Sequence, residues 1–264
     1  MNRSVIFTKH RRDTMDHLLD TRICPGCNQA MEVERCHGML EFLNTIDAYC
    51  DECAEKKNKE LEREQLKATC RMRYNDLLRR GLVIEHFRDS SFSKSDKAIE
   101  AMNPEGWEIA RNWPRKENLY IHGQIGTGKT FMALAVLRKA FVAGLDVAET
   151  TARQFVKTAD LFKDSENLFN AWKHADVLLL DDIDKARWNL DRIDALWELM
   201  NARMSAGRRT IITGNLSLRD MALIMRERSG DSDTNTKNTS RADAAMDRLK
   251  PIKQIELLGK SLRK

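Results

Sequence analysis

From residue 118 to the carboxyl end, short apolar runs alternate with stretches of helical period. Leu119-Tyr120-Ile121 reads as a strand. Thr130 to Val142 reads as a helix closed by Gly144. Val147 to Thr150 predicts another strand, and Val177-Leu178-Leu179-Leu180 is apolar throughout, as a strand buried on both faces must be. Residues 190–206 have helical character, Thr210-Ile211-Ile212-Thr213 predicts a strand, and Ile252 to Leu257 a last one. Ser217-Leu218-Arg219-Asp220 has the form of a capping box opening a helix. Strands alternating with helices predict an α/β fold, a parallel sheet sandwiched by helices with right-handed crossovers. Residues 229–240 carry no apolar side chain and predict a mobile loop.

The front of the chain follows another pattern. Residues 54–80 lack Gly and Pro and are dense in Glu, Lys, Arg and Leu, which predicts a solvated connecting helix ended by Gly81. Glu55 and Lys59 are spaced for an i,i+4 pair. Residues 82–117 are mixed, with turns expected at Pro104, Gly106 and Pro114. The resulting division is a small cysteine-bearing module over 1–53, a helical linker over 54–100 and an α/β domain over 101–264.

Composition narrows the picture. The 264 residues are 42% hydrophobic and 32% charged, enough apolar side chains for a core beneath a charged surface. No apolar run approaches the ~18 residues that span a bilayer, and the first ten residues do not resemble a secretory signal. A cytoplasmic protein with no membrane partner is expected. The net charge is +5, yet residues 1–100 hold 18 basic and 18 acidic side chains. The excess therefore lies after residue 100, where it is compatible with a phosphate-rich partner.

Gly123-Gln124-Ile125-Gly126-Thr127-Gly128-Lys129-Thr130 fits G-x-x-x-x-G-K-[ST], following a strand and opening a helix. Glycines at 123, 126 and 128 let backbone N–H groups converge on phosphate, with Thr127 in the same bend, and the helix terminus adds partial positive charge. Lys129 is expected on the β/γ-phosphates of a nucleoside triphosphate and Thr130 on Mg²⁺. Asp181 ends the apolar strand, placed to hold that Mg²⁺ through water. Asp182 is the candidate to polarise attacking water, the alternative being a strand-end cap. An Asp is one methylene shorter than the Glu many such ATPases use, so slow hydrolysis is expected. Asn215 ends the next strand, where an amide can orient the lytic water; a simple Gly-Asn turn is the other reading.

Together these residues resemble the AAA+ ATPases of the DnaC/DnaI type, the replicative helicase loaders of bacteria and phages, over roughly residues 115–264. The double aspartate 181–182 is typical of that family, and Gly214 departs from its more frequent Ser. The resemblance makes Asn215 the sensor I residue. It makes Arg248, in Met246-Asp247-Arg248-Leu249, an arginine finger reaching a neighbouring subunit's nucleotide, and Arg263 the sensor II residue. Surface charge is the alternative for both arginines. It further implies an ATP-dependent oligomer, single-stranded DNA as ligand and the hexameric replicative helicase as partner.

Cys24-Pro25-Gly26-Cys27 and Cys50-Asp51-Glu52-Cys53 are two CxxC knuckles, read as a tetrahedral Zn²⁺ site. The 22 residues between them imply an extended hairpin and include Cys36 and His37, either of which could replace one ligand. A redox pair or unbound thiols are the alternatives. Cys70 carries no expected chemistry. A small module of this kind draws its folding energy from metal and leaves no open catalytic position, so it is a docking device. The front also looks like the DnaI branch. Arg11, Arg12, Arg22 and Arg35 could contact DNA instead, but are scattered and matched by acids. Two other functions compete with the loader: a transposition helper ATPase of the IstB type, disfavoured by the cysteines, and a nucleotide-gated zinc adaptor with little hydrolysis.

Overall fold

The structure is a computed structural model that describes residues 19–34, 48–93, 97–113, 116–160, 166–229 and 241–262. The chain forms two compact units, Met1–Met72 and Arg73–Lys264. The polar segment 230–240, Pro114, Cys36, His37 and Arg263 lie outside the described residues.

In the first unit, β1 (Leu19–Ile23) pairs antiparallel with β2 (Ala30–Glu34), Ile23 opposite Ala30. The hairpin turn is the first cysteine knuckle. Cys24 N–H donates to the Gln29 carbonyl at 2.9 Å, and Asn28 takes a left-handed conformation to close it. This hairpin wraps around the first knuckle, whose Pro-Gly bend supplies its turn; the hairpin expected between the knuckles falls mainly on residues 35–47, outside the described residues. The second knuckle opens α1 (Asp51–Arg79), a helix exposed along its middle, with Ala54 buried near its start and several half-buried residues over 73–78. Its expected Lys59–Glu55 pair is present at 2.6 Å, beside Lys56–Glu52 at 2.8 Å.

In the second unit, a five-stranded parallel sheet runs in the order β4 (Val147–Thr151), β5 (Val177–Asp181), β6 (Arg209–Gly214), β3 (Asn118–Gly123), β7 (Ile252–Leu257). All five strands fall where the sequence predicts them. The central strands are buried on both faces. Tyr120, Leu178, Leu180 and Ile212 join Phe155, Trp172, Trp188 and Leu196 in one core, while the alternate positions Leu119, Ile121, Leu179 and Ile211 are equally buried.

The helices are α2 (Lys97–Met102), α3 (Pro104–Arg111), α4 (Lys129–Val142), α5 (Ala152–Asp160), α6 (Glu166–His174), α7 (Leu190–Ser205), α8 (Leu218–Ser229) and α9 (Arg241–Asp247). Turns expected at Pro104 and Gly106 are corrected by α3. Proline sits at its first position, where a missing N–H and fixed φ cost nothing. A Cβ at Gly106 would stand 2.7 Å from Ile255 of β7, so the helix lies against that strand only with glycine there. Ser217 caps α8 as expected, its hydroxyl accepting from Asp220 N–H at 3.1 Å and donating to the Asp220 carboxylate at 2.7 Å.

Arg203 on α7 is 1% exposed. Its guanidinium donates to Thr210 Oγ1 at 3.0 Å and to the carbonyls of Trp172, Ala175 and Arg209 at 2.5, 2.7 and 2.5 Å. Burial, with Arg208 nearby, draws it down to about 9. The side chain stitches the end of α6 and the start of β6 to α7.

Candidate active site and cysteine cluster

The phosphate loop, 123–130, springs from the carboxyl end of β3 and runs into α4. Gly123, Gly126 and Gly128 all have positive φ, at 136°, 83° and 91°, which side-chain-bearing residues adopt at a cost. At Gly123 the constraint is also steric, since a Cβ would fall 2.1 Å from the Leu257 carbonyl oxygen. Thr127 is fully buried and its hydroxyl donates to the Gln124 carbonyl at 2.9 Å, pinning the bend. Lys129 Nζ donates to the carbonyls of Gly123 (3.0 Å) and Gln124 (2.6 Å). Burial lowers its pKa while Asp182, Asp184 and Asp181 oppose the shift.

The two segments meet through Thr130. Its hydroxyl lies 3.1 and 3.3 Å from the oxygens of Asp181, which is 7% exposed. Thr213 Oγ1 approaches Asp181 Oδ1 from β6 at 2.5 Å. Burial holds the Asp181 carboxyl above its usual range, and the Asp182 charge adds to this against the two hydroxyls. A desolvated carboxylate beside a hydroxyl at the end of a phosphate loop suits a hard divalent cation with oxygen ligands. The donor set therefore fits Mg²⁺ with a nucleotide.

Asp182 adopts φ 55°, ψ 52°, a left-handed conformation rarely taken by side-chain-bearing residues, and makes no capping hydrogen bond. Its N–H donates to Thr213 Oγ1 at 2.9 Å. Asn215 is held by Asp184, whose Oδ1 accepts the Asn215 N–H at 3.0 Å and whose Oδ2 accepts its Nδ2 at 2.6 Å. Asn215 is thus more than half of a Gly-Asn turn.

Arg248 stands elsewhere. Leu249 and Pro251 accept from Asn118 at the amino end of β3, whereas the phosphate loop leaves its carboxyl end. The guanidinium lies over the Trp197 ring, 5.9 Å from its centre. It lines a cavity of 760 Å³ together with Arg219, Asp243, Asp247, Lys250 and Gln254. The structure does not bring Arg248 to this chain's own phosphate loop.

In the first unit, the four knuckle sulfurs lie within 4.8 Å of one another. Cys50 Sγ is 3.7 Å from Cys24 Sγ and 3.8 Å from Cys27 Sγ, and tetrahedral zinc with Zn–S near 2.3 Å requires about 3.8 Å. The Cys50 N–H, 3.4 Å away, with those of Gly26 and Cys27, draws the Cys24 thiol down to about 6. Cys50 and burial push Cys53 up to about 12. A Cβ on Gly26 would stand 2.8 Å from Cys53 Sγ, so this glycine is the cradle of the cluster. The cluster is compatible with zinc.

Residues 59–264 match the family of IstB-like ATP binding proteins. The chain belongs to that family. This IstB-like protein is 28% identical over 193 residues to an ATP-binding protein of an insertion sequence in Mycobacterium tuberculosis, a match covering 67% of the chain and 66% of the relative. Its fold is shared with a crystal structure of DnaI (TM-score 0.52, 19% identity, 69% of this chain and 94% of that one). It is shared also with the DnaC helicase loader (TM-score 0.50, 14% identity, 66% and 100%). The IstB-like chain thus has the architecture of an AAA+ P-loop ATPase, and no described helix is long and apolar enough to cross a membrane.

Two residues of the IstB-like site escaped the sequence reading. Asp184 sits two positions after the acidic pair, where spacing alone looks like solvated charge. Tyr120 lies within a strand that reads simply as core, yet its hydroxyl donates to the Leu216 carbonyl at 2.6 Å, just past Asn215.

Proposed function

We propose that this chain is an ATP-switched loader that delivers a hexameric replicative helicase to single-stranded DNA in the cytoplasm. In this reading Gly123, Gly126, Thr127, Gly128 and Lys129 bind the triphosphate, and phosphate oxygens outcompete the neutral carbonyls that Lys129 now holds, because charge-assisted bonds are stronger. Thr130 and Asp181 hold Mg²⁺, which neutralises charge on the phosphates. Asp182 polarises water and Asn215 orients it. Arg248 completes a neighbouring copy's site and Arg263 serves as sensor II. Cys24, Cys27, Cys50 and Cys53 hold zinc, residues 1–53 dock the helicase, 54–100 connect, and 101–264 form the motor. The observation that carries this is the Thr130–Asp181 junction at one end of the sheet with Arg248 at the other. One copy then has a nucleotide pocket but lacks its finger, and head-to-tail assembly supplies it.

A second reading, a transposition helper acting with a transposase on duplex DNA, is favoured by the insertion-sequence relative. Co-purification with candidate hexameric helicases and with a transposase, ATP present and absent, separates the two. Retention of a helicase with one zinc per chain supports the loader; retention of a transposase alone removes it. Lys129→Met should lose nucleotide uptake by at least about a hundredfold, since the buried charge on the phosphates is gone. Uptake equal to the parent's in an equilibrium binding assay contradicts the site itself.

A further inference from the structure

Asp184 is almost buried, its side chain 8% exposed, and it sits on the short turn that follows Asp182. Both of its oxygens are committed to a residue 31 positions away. Oδ1 takes the backbone N–H of Asn215 and Oδ2 takes the Nδ2 group. An ionised carboxylate only accepts hydrogen bonds, so the Asn215 amide must turn its nitrogen toward it and cannot flip. The amide's Oδ1 and remaining N–H are thereby left to face other groups. Lys185 Nζ stands 3.6 Å from Asp184 Oδ2. Position 214 is packed into the same clamp: a Cβ there would lie 2.7 Å from the Tyr120 hydroxyl and 3.3 Å from Asp184 Oδ1.

We infer that Asp184 is a positioning residue for ATP hydrolysis, fixing the backbone and amide of Asn215 so that its free polar atoms meet the attacking water and γ-phosphate in one orientation. This rests on the role proposed above for Asn215. A freely rotating amide would present donor and acceptor interchangeably and lose the preorganisation on which such stabilisation depends.

The test is single-turnover hydrolysis of radiolabelled ATP by the full chain, with nucleotide affinity and thermal unfolding measured alongside. Four variants are compared: Asp184→Asn, Asp184→Ala, Asn215→Ala and the Asp184→Ala/Asn215→Ala double. Asp184→Ala should slow hydrolysis ~10- to 100-fold and leave affinity within about threefold, as loss of an interaction made in the transition state does. The double should be no slower than Asn215→Ala, because Asp184 acts only through that amide. Asp184→Asn keeps size and one acceptor and carries the test should the alanine variant not fold; it should lose part of the rate. Full rate in the Asp184 variants, or a double slowed by the product of the two single effects, overturns the inference while leaving Asn215 in place. Full rate in Asn215→Ala removes the role of Asn215 itself, and this inference with it.

Discussion

At position 214 a strand ends without room for a side chain. The Tyr120 hydroxyl, delivered from the neighbouring strand, occupies the space that a β-carbon would need, and this accounts for a glycine where loaders of the DnaC/DnaI type more often have serine. A second buried group shapes stability. Glu149 on β4 is 4% exposed, its Oε2 accepts the Ile84 N–H at 3.3 Å, and burial lifts its pKa from 4.5 to about 7. A carboxyl raised on folding binds its proton more tightly in the folded state. Its penalty is therefore absent below about pH 4.5 and grows to full size as pH rises through about 7. Glu149→Gln should stabilise the protein at pH 8 by up to roughly 3 kcal/mol and leave it unchanged near pH 4. Parallel melting-temperature profiles for parent and variant across that range would refute the assignment. The phosphate loop and acidic pair were legible because their chemistry lies in contiguous residues. Asp184 was not, because its meaning comes from a bond across 31 positions that only the sheet creates.

Among the elements, β5 was the most readable strand, because burial on both faces forces an unbroken apolar run, whereas β7, exposed at Lys253, Gln254 and Glu256, carries a weaker signal. Helices α5 and α6 are nine residues each and were not read from the sequence; their anchors Phe155, Phe169 and Trp172 look like isolated aromatics until they meet in the core. Pro104 misled because proline marks a helix start as readily as a turn. Arg203 exposes a further limit. In the sequence it is one more charge on an amphipathic helix, whereas in the fold it satisfies four acceptors at a junction of three elements. Arg203→Met should destabilise the second unit by about 3–5 kcal/mol, because buried acceptors lose their donor. A denaturant midpoint indistinguishable from the parent's would show that the junction holds without it.

For the molecule as a whole, the proposed division of labour makes catalysis a property of neighbours. Arg248→Ala should bind nucleotide normally and lose the turnover that DNA and assembly stimulate. Mixed with Lys129→Met, it should regain activity, because a copy with an intact pocket can meet a copy with an intact finger. A mixture no more active than its two components rules out action between copies.

Strand β7 gives this scheme a mechanical reading. One end, Leu257, is wedged against Gly123 of the phosphate loop; the other follows Arg248 by four residues. Roughly 20 Å of hydrogen-bonded ladder joins them. On the proposed roles, the pocket of one copy and the guanidinium it offers its neighbour are anchored at opposite ends of a single strand, so a change that loosens β7 should weaken both together.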